Sequence, residues 1–269
     1  MIQLPDIALP GETMAGLQAL QAEVDTSGDY ARQVAEGKRL FELRNVRGNP
    51  VFDEVKRALD RMCSGAVRCV YCEDSRADEI EHVRPKSLYP NVAFAWSNYV
   101  YACGPCNGPK GSHFAVFVDS ATEPIEVARR PHAQIVPPPH GDPALIDPRI
   151  EDATKLMILD LRETYLFTPL AAKGTRDRER ADYTIRTLRL NVRDDLLRAR
   201  RQAYLDYVAH IHQYVRERSR HAAQARLAAL RDVVKSRQHP TVWREMQRQH
   251  NRVPELRALF AELPEAIGW

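Results

Sequence analysis

The sequence predicts an α+β fold that is mostly helical, with a compact metal-organised unit between two helical regions. Apolar residues recur at helical spacing towards both ends of the chain, whereas the middle is rich in cysteines, aromatic residues and short β-branched stretches. We therefore divide the chain into four regions. These are an N-terminal helical region (1–65), a central unit (66–118), a proline-rich connection with a β-hairpin (119–175) and a basic C-terminal helical region (176–269).

The composition is that of a folded, soluble chain. Hydrophobic residues make up 44% and charged residues 28% of the 269 residues, which excludes wholesale disorder. The sequence has no apolar run long enough to cross a membrane, and its first residues lack the pattern of a signal peptide. We therefore expect a cytoplasmic protein with no membrane segment.

The N-terminal region contains a clear helix start. Asn49 is a suitable N-cap, Pro50 suits the first helical position, and Asp53 lies in the first turn, where a negative charge is favourable. Val51, Val55, Leu59 and Met62 follow at helical spacing. The sequence thus predicts an amphipathic helix that ends near residue 65.

The connecting region holds seven prolines between residues 119 and 150, too many for regular structure, so we expect an irregular segment there. Two apolar stretches, 156–159 and 165–167, flank a polar turn and predict a β-hairpin that adds strands to the central unit. Helical periodicity then runs from about residue 182 to 238, and a last helix is expected from 255 to 263.

Charge is distributed unevenly along the chain. Residues 171–269 contain 21 Lys and Arg against 12 Asp and Glu, a net charge of +9, and residues 1–170 carry −6. A basic helical surface is most often simply solvated, but it can also track phosphates. If acidic groups surround the active site, they repel nucleic acid, and we expect the basic region to attract it or to dock a partner.

The central unit contains two C-x-x-C pairs, Cys69 with Cys72 and Cys103 with Cys106. In a reducing compartment this spacing is typical of a metal site rather than of disulfides. Four thiolates complete a tetrahedral zinc shell with no open position, so we predict a structural Zn²⁺, with four free thiols as the alternative. Cys63 lies outside both pairs and is not expected to bind zinc.

Ionisable residues lie between and just after the two cysteine pairs. Glu81 and His82 are adjacent, Asn98 precedes the second pair, and Asn107 and Lys110 follow it. Phosphodiester hydrolysis needs a base near neutral pH, for which histidine is suited, and a cation to neutralise developing charge. Carboxylate and amide oxygens can hold that cation. Arg84, Lys110 and His113 are candidate phosphate contacts, although ordinary surface roles are an alternative for each.

This segment resembles the HNH (ββα-metal) endonuclease superfamily over residues 69–111, with every element of the motif present. The resemblance implies a β-hairpin and a helix that hold one divalent cation. It implies His82 as the general base, Glu81 and Asn107 as metal ligands, Asn98 as the residue that ties the hairpin loop, and Lys110 as a further catalytic residue. Glu81 replaces the commoner Asp, and Asn107 replaces a frequent His. Both supply oxygen, which favours Mg²⁺ or Mn²⁺.

A narrower resemblance is to the PtuB-type HNH nucleases of the Septu and related retron anti-phage defence systems. It is carried by short stretches at residues 72–73 (CE), 80–87 (IEHVRPKS), 89–90 (YP), 146–149 (IDPR) and 184–191 (TIRTLRLN). This resemblance implies an ABC-type ATPase partner and a nucleic-acid target, DNA rather than RNA. The chain has no P-loop motif, so ATP dependence would come from another chain.

Two classes of function are therefore compared. The first is a metal-dependent DNA endonuclease that acts in antiviral defence with an ATPase. The second is a zinc-organised nucleic-acid-binding or protein-binding module in which Glu81 and His82 are incidental. Within the enzyme class, an RNase or tRNase toxin and a stand-alone restriction nuclease remain open, because the ββα-metal motif does not read the sugar.

Overall fold

The computed structural model describes residues 1–269 and combines nine α-helices with seven short strands. Two sets of helices enclose the strands. The helices before the first strand are α1 (Gly11–Asp25), α2 (Tyr30–Arg44) and α3 (Pro50–Met62). The later helices are α4 (Gly104–Lys110), α5 (Arg176–Thr187), α6 (Asp194–Ser219), α7 (Gln224–Lys235), α8 (Pro240–Gln249) and α9 (Pro254–Glu262). None of them is both long and apolar enough to span a lipid bilayer.

Helix α3 begins where the sequence predicts it. The Asn49 side-chain oxygen accepts hydrogen bonds from the backbone N–H groups of Val51 and Phe52, at 3.1 and 3.2 Å, and so satisfies two donors of the first turn. The helix buries one face, including Phe52 and Val55, and packs against α1 and the second strand. It ends at Met62, close to the predicted boundary.

The central unit has the order strand, strand, helix. Strand β1 (Glu79–His82) pairs in antiparallel fashion with β2 (Tyr99–Ala102), so that His82 lies opposite Tyr99 and Glu81 opposite Val100. The connection between them contains two short 3₁₀ turns, Pro90–Val92 and Trp96–Asn98. Helix α4 follows β2 directly and packs against β1. This places α4 beside the strand that carries Glu81 and His82.

The connecting region is more regular than the sequence predicts. Strand β3 (Ala115–Phe117) lies between β4 (Ile125–Glu126) and β5 (Asp142–Pro143), both within the proline-rich segment. The hairpin forms from β6 (Met157–Leu159) and β7 (Phe167–Pro169), but as a separate sheet. It does not extend the central unit because β6 packs against α8 and β7 against α5, so C-terminal helices cover it.

One hydrophobic core joins the four regions. A single cluster of 62 buried residues includes Leu17 of α1, Tyr99 of β2, Leu159 of β6 and Ile211 of α6. In the C-terminal part, the Tyr207 ring stacks on the Trp243 ring at 5.3 Å between centroids, and this contact joins α6 to α8. The catalytic candidates of the central unit are therefore supported by helices from both ends of the chain.

Candidate active site beside a four-cysteine cluster

The four paired cysteines converge. Cys69 and Cys72 lie in a turn before β1, Cys103 directly follows β2, and Cys106 lies on α4. All four are buried, and their sulfur atoms lie within 4.8 Å of one another. The Cys72 and Cys103 sulfurs are 3.8 Å apart, which matches the roughly 3.8 Å sulfur separation of a tetrahedral zinc–thiolate shell. These side chains could hold a metal such as zinc.

Cys63 is separate from this cluster. It follows α3, and burial together with the charge of Asp60 raises the pKa of its thiol to about 12. A thiol with that pKa is protonated at neutral pH and is a poor nucleophile and metal ligand.

The C-terminal region supplies positive charge to the cysteine cluster. The Arg193 guanidinium donates to the Cys106 sulfur at 3.7 Å. Arg200 is buried on α6, where it donates to the Tyr165 carbonyl at 3.0 Å and lies 4.5 Å from the centre of the Phe167 ring. A zinc ion with four thiolates would carry a net charge of about −2, and the Arg193 guanidinium beside Cys106 would offset part of it. No sequence pattern pointed to these residues, because they follow the last cysteine by more than eighty positions.

A second contact ties the turn with the first cysteine pair to the end of the chain. Glu73, next to Cys72, is buried and accepts hydrogen bonds from the backbone N–H and the hydroxyl of Thr241, at 3.0 and 2.7 Å. Thr241 lies in the first turn of α8, 168 residues along the chain. Helix α8 of the C-terminal region thus holds this cysteine turn in place.

His82 is a buried, neutral imidazole. Its Nε2 lies 2.9 Å from the Ala93 carbonyl oxygen, and since a carbonyl can only accept, Nε2 carries the proton and Nδ1 is free to take another. The ring packs edge-on against Phe41 and Tyr99, with centroids at 4.6 and 5.0 Å. Burial, reinforced by the charge of Lys86, holds the pKa of His82 well below its usual range.

The loop that carries Ala93 is held by Asn98. The buried Asn98 amide accepts from the Arg84 N–H at 2.7 Å and donates to the carbonyls of Arg84 and Val92, at 2.9 and 3.0 Å. The Tyr99 hydroxyl also donates to the Ala93 carbonyl, at 2.8 Å. Asn98 thus fixes the loop position and, through it, the orientation of the His82 ring.

Lys110 is a positioning residue in this structure. Its side chain is fully buried; the ammonium donates to the His82 carbonyl at 2.9 Å and forms an ion pair with Glu81. The predicted phosphate contact through Lys110 therefore needs correction, because a phosphate cannot reach a buried ammonium that already has two partners. Burial raises the pKa of the Glu81 carboxyl, and the charge of Lys110 opposes this shift.

Glu79 joins the oxygen-bearing side chains that the sequence analysis selected. It lies two residues before Glu81, so both carboxylates project from the same face of β1. The Asn107 amide on α4 donates to the Glu79 carboxylate at 2.6 Å, and the amide oxygen of Asn107 makes no hydrogen bond. Glu79 was not among the predicted site residues, although its i, i+2 spacing to Glu81 in a strand-like stretch is a signal that points to it.

A cleft of about 790 Å³ opens over these residues. His82, Glu81, Glu79 and Asn107 lie along it. Five cationic side chains line it as well: Lys38, Lys56, Lys86, Arg129 and Arg130. They outnumber the three carboxylates of the lining, those of Asp78, Glu79 and Glu81, although residues 1–170 carry a net negative charge. The net charge of a stretch of sequence does not show which side chains face the cleft.

Two predicted phosphate contacts lie outside the cleft. Arg84 is on the other side of the loop, with its guanidinium 5.4 Å from the centre of the Tyr89 ring. The His113 side chain is 60% exposed and lies 3.7 Å from the Glu126 carboxylate. Both residues are near the site in sequence, but the chain turns away from the cleft at each of them.

Comparison with known proteins adds one relative. No protein-family model matches the chain. Part of the chain resembles a Septu protein. The match is to the Septu protein PtuB of Bacillus thuringiensis, with 41% identity over 102 residues. It covers 35% of this chain and 37% of the relative, so the similarity spans little more than a third of either protein.

Proposed function

We propose that this chain is a metal-dependent endonuclease of the HNH type that hydrolyses nucleic-acid phosphodiesters, with DNA as the favoured substrate. One observation carries the proposal. A neutral histidine with a single free nitrogen shares a cleft with the oxygen atoms of Glu79, Glu81 and Asn107. A base and a set of hard oxygen ligands in one concavity are the two requirements of metal-assisted hydrolysis.

The donor set fits Mg²⁺ or Mn²⁺. Glu79, Glu81 and Asn107 offer carboxylate and amide oxygens, and such cations prefer oxygen ligands. Lys110 pairs with Oε1 of Glu81, which leaves Oε2 for a cation. A bound cation would neutralise the negative charge that develops on the phosphate during hydrolysis.

The protein residues supply the base and its orientation. Nδ1 of His82 would take the proton of the attacking water, while the bond from Nε2 to the Ala93 carbonyl fixes the tautomer. Lys110 holds the Glu81 carboxylate and the backbone of His82 together. The depressed pKa of His82 keeps the imidazole unprotonated at neutral pH, as a general base requires.

The biological role that we propose is anti-phage defence. Similarity to the Septu protein PtuB over 102 residues supports this role, and the narrower resemblance of the sequence adds an ABC-type ATPase partner. The chain lacks a P-loop, so ATP would be bound by that partner. In this scheme the present chain is the nucleic-acid-cutting component.

The test is a cleavage assay with the purified chain, run with and without the candidate ATPase and with Mg²⁺ or Mn²⁺. Linear duplex DNA, single-stranded DNA and RNA of equal length are compared as substrates. We expect His82→Ala to lower the cleavage rate by roughly 10²–10⁴-fold while zinc content stays nearly unchanged. The melting temperature should fall moderately, because removing the buried ring leaves a cavity. His113→Ala is the matched control, since that histidine lies outside the cleft, and its activity should equal wild type.

Asn107→Ala provides an independent reading. It removes one proposed ligand and leaves the base, so we expect weaker cleavage that higher Mg²⁺ or Mn²⁺ partly restores. Full activity in His82→Ala would rule out the assignment of the base. Binding of nucleic acid without cleavage by wild type, with the ATPase present, would favour the zinc-organised binding module instead.

A further inference from the structure

We infer that nucleic acid is held at this cleft by four cationic side chains from separate parts of the fold, which we call the cleft cations. They are Lys38, Lys56, Lys86 and Arg130. The inference rests on the proposed function and deepens it, because it names the surface that receives the phosphate backbone. It also implies that the basic C-terminal region is not that surface.

The first observation is that none of the cleft cations forms an ion pair or a side-chain hydrogen bond within the protein, and Lys86 faces only the Phe41 ring. The chain forms eighteen ion pairs, and none of the four takes part in one. Arg129, in the same cleft, differs: it donates to the Tyr30 hydroxyl and to the carbonyls of Ser87 and Val136. Unpaired cations in one concavity repel each other, and an anion removes that repulsion.

Lys86 is the most informative of the four. It is half-buried, and its ammonium lies 4.5 Å from the centre of the Phe41 ring. The same ring packs edge-on against His82 at 4.6 Å, so Lys86 is one side chain away from the proposed base. Partial burial of an ammonium without a hydrogen bond is unfavourable. A phosphate oxygen at this position would supply the missing partner.

The arrangement favours a polyanion over a small anion. Lys38 comes from α2, Lys56 from α3, Lys86 from the loop after β1, and Arg130 from the proline-rich connection. A single phosphate would need one or two cations at one point, whereas these four are distributed around a cleft of about 790 Å³. Repeated negative charge along a backbone, as in nucleic acid, matches such a distribution.

The C-terminal region has less free positive charge than its count suggests. Nine of its arginines already form ion pairs with carboxylates. Three of these pairs cross to acidic residues of the connecting region: Arg176 with Asp142, Arg180 with Glu151, and Arg244 with Asp152. These three pairs offset three of the nine excess positive charges of residues 171–269, and the other six arginines pair with carboxylates of the C-terminal region itself.

The experiment measures binding of a labelled DNA duplex between 50 and 200 mM salt, in a His82→Ala background that prevents cleavage. The first variant, which we call the rim variant, replaces three of the four cleft cations: Lys38→Gln/Lys56→Gln/Arg130→Gln. The matched control is Arg201→Gln/Arg226→Gln/Lys235→Gln, three exposed and unpaired basic residues of α6 and α7. Zinc content confirms that each variant folds. Single-stranded DNA and RNA are tested in parallel, to find which backbone the cleft accepts.

Loss of three phosphate contacts should reduce the slope of log affinity against log salt by about 2.7. The affinity ratio of parent to rim variant should then shrink roughly fortyfold over that salt range. We expect the control to keep the parental slope. Lys86→Gln in the active protein should lower kcat/KM at least tenfold and the slope by about 0.9.

Two failures can be told apart. If the rim variant keeps the parental salt slope of DNA binding and the control loses it, the inference that the cleft cations hold nucleic acid is wrong. Cleavage by wild type would still support the proposed nuclease. If wild type neither binds nor cleaves nucleic acid with the ATPase present, the proposed function and this inference fall together.

Discussion

Replacing Lys110 by methionine tests the buried ion pair on which the site is built. The substitution keeps the length of the side chain and removes its charge. It leaves the Glu81 carboxylate almost fully buried with no cation beside it, and it removes the donor to the His82 carbonyl. Breaking a buried pair by removing one partner costs about 3–5 kcal/mol. For a chain of this size that corresponds to a fall in Tm of roughly 6–20 °C.

Lys86→Met is the matched comparison. Both lysines lie within the motif segment. Lys86, however, is half-buried and forms no ion pair, and its ammonium lies over the Phe41 ring. Its loss should cost no more than about 1 kcal/mol. The double variant Glu81→Gln/Lys110→Met should recover part of the stability lost in Lys110→Met, because no unpaired carboxylate remains.

The assay is thermal melting at a fixed zinc concentration, followed by near-ultraviolet circular dichroism of the aromatic residues around His82. We expect a large fall in Tm for Lys110→Met, a small one for Lys86→Met and an intermediate one for the double variant. Equal Tm values for the two single variants would refute the reasoning that burial and pairing separate these lysines.

Four further substitutions address the cysteine cluster and the loop. Cys69→Ser should lose bound zinc by elemental analysis, whereas Cys63→Ser should retain it. Arg193→Gln removes the donor to Cys106 and should speed zinc transfer to a chelator by roughly 10–100-fold; an unchanged rate would assign the arginine a packing role only. Asn98→Ala removes three hydrogen bonds and should lower the free energy of unfolding by about 2–4 kcal/mol, as measured by urea denaturation. A change below about 1 kcal/mol would count against the role of Asn98 in holding the loop.

The sequence predicted correctly those features that depend on contacts between residues close together in the chain. The start of α3 at Pro50 follows from the Asn49 cap, which acts within three residues. The convergence of the four cysteines follows from two tight turns and a short antiparallel pair of strands. The boundaries of the C-terminal helices were less accurate, because α5, α6 and α7 are separated by turns within one continuous helical pattern.

Side-chain roles that depend on packing between distant segments were harder to predict. Lys86 and Lys110 look equivalent in the sequence, yet Lys86 faces the cleft, whereas Lys110 is the last residue of α4 and pairs with Glu81. Lys38 and Lys56 reach the cleft only because α2 and α3 pack beside β1 and β2, which no motif records. Arg193, just before α6, contacts Cys106 because distant segments pack together. The spacing of the cysteines gives no sign of this contact.

The contact between Glu73 and Thr241 has a consequence for synthesis of the chain. The two residues are 168 positions apart, and a ribosome adding 5–20 residues per second needs roughly 8–34 s to cover that distance. During this interval the Glu73 carboxylate lacks the two donors of Thr241 on α8, and Cys106 lacks the guanidinium of Arg193 until that residue is also made. The nascent protein therefore completes the support of its cysteine cluster only late in translation, when the C-terminal helices have left the exit tunnel.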